Sequence, residues 1–176
     1  MVYEPREDSW LIMESVKGRI VDTALDMGTG TGVIANELSK SCKKVIAADI
    51  DAEAVAYAKK NSKSKNITFI VSDLFEHIEG KFDLMAFNPP YLPPGPTPEA
   101  FHTSKVSEWS GGRPLILKFL RAARSKLTPN GSIVLLFSNR TGLELPELQS
   151  LGFKLKKLGE QKFFYEHLWV YELFPE

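Results

Sequence analysis

The chain has 176 residues, 43% of them hydrophobic and 25% charged, which suits one globular domain with a sizeable core. Its 22 Lys and Arg balance 22 Asp and Glu, and a net charge of zero argues against tight binding to long nucleic acid, though not against a small basic patch or a single nucleotide. A lone Cys42 excludes an intrachain disulfide, three scattered histidines (His77, His102, His167) make no metal pair, no apolar run reaches a membrane span of roughly 18 residues, and an N-terminus with Glu4, Arg6, Glu7 and Asp8 is no signal peptide, so a soluble cytoplasmic protein with no metal site is expected.

In chain order, residues 9–17 carry Trp10, Leu11, Met13 and Val16 at roughly helical spacing, with Glu7 and Asp8 near the start, and predict a short leading helix. Residues 21–26 read as a first strand, followed by the glycine loop Gly28-Thr29-Gly30-Thr31-Gly32 and a helix over 33–39. Residues 44–48 predict a second strand ending in Asp49-Ile50-Asp51, and Ala52–Asn61 an Ala-rich helix. A third strand is predicted from Asn66 to Val71, followed by Ser72-Asp73-Leu74, and a fourth, apolar strand over Phe82–Phe87 runs into Asn88-Pro89-Pro90-Tyr91. Residues 92–112 form a long Pro-rich loop, of a length usually functional or disordered.

Residues 113–127 have a helical apolar pattern, Pro129-Asn130-Gly131 reads as a turn, and 132–137 as a fifth strand. A helix over 145–151 is expected to stop at Gly152. Strands over 153–158 and 163–173, joined by a short link at 159–162, must be antiparallel. With no repeats and no internal linker, the alternation predicts a single α/β domain over 1–176: a Rossmann-like, doubly wound, mostly parallel seven-stranded sheet with a closing antiparallel pair.

The chemistry collects at predicted strand ends, where ligands bind in open α/β sheets. Pro89 and Pro90 fix their own φ and lack N–H groups, so Asn88 to Tyr91 is a stiff turn that offers an amide, free carbonyls and a ring. That suits a planar group carrying N–H donors; a rigid exit turn without chemistry is the plain alternative. The glycine loop permits a tight turn and close ligand approach, but it is neither the Gly-x-Gly-x-x-Gly of dinucleotide sites nor a P-loop. Asp49, 21 residues after Gly28, is placed to accept from a ribose hydroxyl pair, with helix capping by Asp49 or Asp51 as the alternative. Asp26 would repel a pyrophosphate and attract a cationic head, and Asp73 could accept from an adenine amine. Three buried acids are costly without partners, and S-adenosylmethionine would supply all three.

The order Asp26-Met27-Gly28-Thr29-Gly30-Thr31-Gly32, Asp49, Asp73-Leu74 and Asn88-Pro89-Pro90-Tyr91 resembles the HemK-type class I S-adenosylmethionine-dependent methyltransferases, which methylate the glutamine amide of peptide release factors. The start Tyr3-Glu4-Pro5-Arg6-Glu7-Asp8-Ser9 and the segment Trp109-Ser110-Gly111-Gly112-Arg113 are similar to the short archaeal and eukaryotic branch. The resemblance implies that Ser9, Asp26, Gly28, Thr29, Gly30, Asp49, Ile50, Asp73, Leu74 and Asn88 line the cofactor pocket, and that Asn88, Pro89, Pro90 and Tyr91 hold and stack on the substrate amide. It implies a release factor as partner, in the Gly-Gly-Gln context. The bacterial branch docks the release factor with an extra N-terminal helical domain; 176 residues leave no room for one, so a different docking mode is expected. Short-branch relatives use a small zinc-binding activator subunit, and the uncharged third strand, Asn66 to Val71, is expected at a sheet edge open to it. The Asn-Pro-Pro-Tyr motif is shared with adenine amine methyltransferases, so DNA or RNA adenine stays open as acceptor, as does a non-catalytic S-adenosylmethionine-binding module.

Overall fold

A computed structural model describes residues 5–92 and 111–176. Its elements run α1 (Glu7–Val16), β1 (Thr23–Met27), α2 (Val33–Leu38), β2 (Lys44–Asp49), α3 (Ala52–Asn61), β3 (Ile67–Val71), β4 (Phe82–Phe87), α4 (Gly112–Ala123), β5 (Leu127–Ser138), α5 (Leu145–Ser150), β6 (Phe153–Lys162) and β7 (His167–Pro175). The seven strands form one sheet in the order β3-β2-β1-β4-β5-β7-β6. The first five are parallel, and β7 pairs antiparallel with both β5 and β6. The expected sheet, with its closing antiparallel pair and β3 at one edge, is therefore present. Among the described residues no helix is long and apolar enough to cross a membrane.

The central strands are buried on both faces and read as continuous apolar runs. Their alternation sorts the core into two layers. Leu25, Met27, Met85, Phe87, Ile133 and Leu135 face α4 and its Ile116, Phe119 and Leu120. Ala24, Leu84, Ala86, Val134 and Leu136 face α1 and α2, with Ile12, Val16, Ile34 and Leu38. By the same period of two, Asp26 falls on the face of α2, and Asn88 on the face of α1. The chain order leaves β1 toward β2 and β3, and leaves β4 toward β5, so the winding reverses between β1 and β4. That reversal opens a crevice at the carboxyl ends of these two neighbours, where Gly28 and Asn88 stand.

The structure corrects three element boundaries. The predicted helix 113–127 ends at Ala123, passes through one 3-10 turn (Arg124–Lys126), and gives Leu127 to β5. Pro129-Asn130-Gly131 is not a free turn. It bulges within β5, where Phe82 pairs with Leu127 but Leu84 already pairs with Ser132. The last hairpin turns at Phe163 to Glu166, with the Phe163 N–H donating to the Glu166 carbonyl at 2.7 Å, rather than at 159–162. The glycine that suggested the earlier turn, Gly159, lies at a register shift inside β6, against Leu11 of α1. Gly152 does stop α5: it has φ +80°, and its N–H donates to the Gln149 carbonyl. Most of the predicted 92–112 loop lies outside the described residues.

Candidate active site

The glycine loop is shaped by its tethers. Gly28, Gly30 and Gly32 all have positive φ, which favours glycine at each. The Thr29 N–H donates to the Ala48 carbonyl at 2.9 Å and the Gly30 N–H to Asp49 Oδ2 at 2.9 Å, so the loop is fastened to β2. A Cβ on Gly32 would meet that of Ala58 at 3.0 Å, whereas one on Gly30 would meet nothing within 4 Å. Gly32 therefore serves close packing against α3, and Gly30 leaves open space for a ligand.

Asp26 is fully buried, and its Oδ2 accepts from Thr29 Oγ1 at 2.6 Å and from the Ala35 N–H at 3.0 Å. Half of this carboxylate is thus a clamp on its own loop. Its Oδ1 is buried with no hydrogen-bond partner among the described residues. Burial pushes the acid up to about 7, against the opposing hydrogen bonds from Thr29 and Ala35, with the Asp49 charge adding to the rise. An orphaned, hard-to-ionise carboxylate at a strand end fits a cationic ligand head.

Asp49 accepts one bond on each oxygen, from the Gly30 and Asp51 N–H groups, both at 2.9 Å. A carboxylate has about four acceptor positions, so two remain for a pair of hydroxyls. Burial also raises Asp49, while the Asp51 and Gly30 bonds lower it. Asp51, in turn, caps α3 by accepting from the Glu53 N–H at 2.9 Å. The two acids divide capping and loop binding between them. Ile50 is half exposed beside them.

The third strand end is more open. Asp73 pairs with Lys118 Nζ of α4 at 3.4 Å, with both side chains well exposed, so the expected adenine acceptor also holds an ion pair. Leu74 follows at φ 48°, the sole non-glycine with positive φ among the described residues. Ser72 Oγ secures it, donating to the Leu74 carbonyl at 2.8 Å while accepting from the His77 N–H at 3.0 Å. Strain of this kind costs about 1–3 kcal/mol and gathers at functional sites.

At the exit of β4, Asn88 Nδ2 donates to Asp8 Oδ2 at 3.0 Å. A carboxylate only accepts, so this bond fixes which way the amide faces. Asn88 Oδ1 is left buried and without a partner among the described residues. Asp8 is 5% exposed and Ser9 Oγ lies 3.5 Å from its Oδ1. A Cβ on Gly28 would lie 3.7 Å from the Asn88 carbonyl, which puts the glycine loop directly beside this turn. Pro89 is buried and Pro90 exposed, and the Pro90 carbonyl accepts from the Gly112 N–H at 2.7 Å. A Cβ on Gly111 would fall 2.1 Å from that same oxygen, so only glycine fits there. The ring of Tyr91, expected to stack on a substrate, is partly buried against the core layer beneath α1.

The structure thus brings Ser9, Asp26, Gly28, Thr29, Gly30, Asp49 and Asn88 to one end of the sheet, with Asp73 and Leu74 on the next strand ends. Sequence reasoning missed Asp8, Gly111 and Gly112 as site residues. Asp8 had a readable signal. It falls at i, i+4, i+8 with Ile12 and Val16, so an acid sits on the buried stripe of α1. The glycine pair was noted only as part of a resembling segment.

The family model for the methyltransferase small domain matches residues 7–162. A Methanocaldococcus jannaschii protein, provisionally named a protein N5-glutamine methyltransferase, is 35% identical, covering 96% of this chain and 89% of its own. The release factor glutamine methyltransferase of Deinococcus radiodurans is 29% identical over 84% of this chain and 58% of its own length. Among solved structures, the E. cuniculi Mtq2-Trm112 complex, described as responsible for methylation of the eRF1 translation termination factor, superposes with TM-score 0.75. It is 26% identical and covers 99% of both chains.

Proposed function

The chain belongs to the methyltransferase small-domain family and is an S-adenosylmethionine-dependent N-methyltransferase; from that premise we propose that its acceptor is the side-chain amide of glutamine in a peptide chain release factor. The observation that carries this reading is Asn88. Its NH₂ is occupied by Asp8, and its oxygen is an orphaned acceptor beside the glycine loop. A buried acceptor left unpaired costs about 1–3 kcal/mol, which an incoming N–H relieves.

The cofactor supplies an electrophilic methyl group on a sulfonium. Asp26 Oδ1 would hold its cationic amino acid end, Asp49 its ribose hydroxyls, and the rim of Asp73, Leu74 and Ile50 its adenine. An amide nitrogen is a poor nucleophile because its lone pair is delocalised. Asn88 Oδ1 and the Pro89 carbonyl would accept its two N–H bonds and turn the lone pair toward the methyl group. Positive charge grows on that nitrogen during transfer, and acceptors fixed in advance stabilise it. Asp8 holds Asn88 so that no reorientation is needed when the charge develops. A strong base is not required, because methylation acidifies the nitrogen. Glutamine is favoured over adenine by the names of the relatives, by the Tyr3 to Ser9 start, and by the absence of net positive charge.

The accessory subunit belongs to the same proposal. The E. cuniculi neighbour is a two-protein complex. Here β3 is an edge strand with no charged residue over Ile67–Val71, and Val71 is 44% exposed. A small zinc-binding partner would add a strand at that edge.

The test is a methyl-transfer assay offering a Gly-Gly-Gln release factor, DNA and structured RNA in parallel. Transfer to the release factor is expected. Asn88→Ala should cut its kcat by about a hundredfold or more. Transfer to nucleic acid alone overturns the glutamine reading, and an active Asn88→Ala enzyme overturns the mechanism.

A further inference from the structure

The β6–β7 hairpin ends in three consecutive aromatic residues. Phe163, Phe164 and Tyr165 are 41%, 90% and 80% exposed, and the rings of Phe164 and Tyr165 meet edge-on at 4.5 Å. Single exposed apolar residues need no explanation, but a contiguous aromatic tip does.

The tip is held firmly. Asn139, just past the end of β5, donates its N–H to the His167 carbonyl at 3.1 Å and accepts the His167 N–H on Oδ1 at 2.9 Å. On the other strand, Glu160 takes His167 Nε2 at 3.0 Å and Lys157 Nζ at 3.2 Å. The aromatic pair is therefore presented on a braced ribbon rather than a slack loop.

Register decides where the tip points. Phe87 pairs with Leu135, Leu136 with Val170, and Ser138 with Leu168. Asn88, one residue beyond Phe87, is thus level with Leu136 and Val170. The hairpin continues past that level at the same end of the sheet as the Asn88 turn. With strands about 4.8 Å apart and about 3.3 Å per residue, the tip stands on the order of 20 Å from Asn88, to the side and above. A bare acceptor side chain cannot reach both places, whereas a folded protein presenting a loop to Asn88 can.

We propose that the Phe163-Phe164-Tyr165 tip docks the folded body of the acceptor protein, against an apolar patch beside its methylated loop. The docking role rests on the glutamine reading above. Charge favours protein over RNA as occupant: the tip is flanked by Lys162, Arg140 and Lys157 but also by Glu160 and Glu166, so the described residues around it mix both signs rather than lining a basic track for a phosphate backbone. Rigid aromatic anchors at the centre of a contact are the residues that carry binding energy.

The test compares wild type with Phe164→Ser/Tyr165→Ser on an intact release factor, on a short Gly-Gly-Gln peptide, and on structured RNA. For the intact protein the variant should show KM raised about tenfold or more with kcat unchanged. Its melting temperature and its rate on the peptide should stay at wild-type values. Wild-type KM on the intact protein, an equal loss on protein and peptide, or a loss confined to RNA overturns the docking role while leaving glutamine transfer in place. A wild-type enzyme that methylates neither glutamine substrate overturns the substrate reading, and the docking role with it.

Discussion

Asp26 shows how one side chain serves two ends. Oδ2 clamps Thr29 and the start of α2, and Oδ1 waits for a donor. Burial raises its acid from 3.8 to about 7. The folded, unliganded chain therefore keeps a proton there through a window in which the unfolded chain has lost it. The sign follows: Asp26 costs stability progressively as pH rises from about 4 to about 7. A cationic ligand head favours the ionised form, so affinity for S-adenosylhomocysteine should strengthen from about pH 6 to about pH 8. Calorimetry across that range should show the slope in wild type and a flatter one in Asp26→Asn. The acids were legible because they end predicted strands. The Asp8–Asn88 bond was not, since it joins residues 80 positions apart.

At the scale of elements, the exit of β4 and the start of α4 are locked together. Gly111 sits at φ +76° with its missing Cβ only 2.1 Å from the Pro90 carbonyl, and Gly112 closes the contact by hydrogen bonding. Gly111→Ala must push the Pro90 backbone aside. It should lower stability by about 1–3 kcal/mol and depress kcat, because the displaced turn carries Asn88. Gly142, at φ +74° with nothing within 4 Å, is the control. Gly142→Ala carries conformational strain alone, and thermal melts with kcat measurements should separate the pair. Helix and strand identities were readable from period and length, whereas the boundaries around Leu127 and the final hairpin were not. Pro129-Asn130-Gly131 has turn chemistry and still lies in β5, because the sheet absorbs the three as a bulge.

For the molecule as a whole, the sheet order sets what each edge can do. β3 closes one side and β6 the other. Charging the first edge with Thr68→Lys should abolish co-purification with an accessory subunit while leaving the melting temperature within a few degrees, since Thr68 is exposed. Co-purification at wild-type yield would move that contact elsewhere. The second edge carries the aromatic hairpin, at the end of the sheet where Gly28 and Asn88 meet.

Local chemistry sufficed for the strand–helix alternation, the strand-end acids, the glycine loop and the Asn88–Tyr91 turn. Each depends on residues within a few positions of one another: period, φ restriction, and donor or acceptor type. Long-range pairing decided the rest. The crevice exists because β1 and β4 are neighbours though 60 positions separate their paired ends, Met27 and Phe87. Only that adjacency sets the orphaned oxygens of Asp26 and Asn88 at one end of the sheet, and only the register of β5 with β7 turns the aromatic tip toward it.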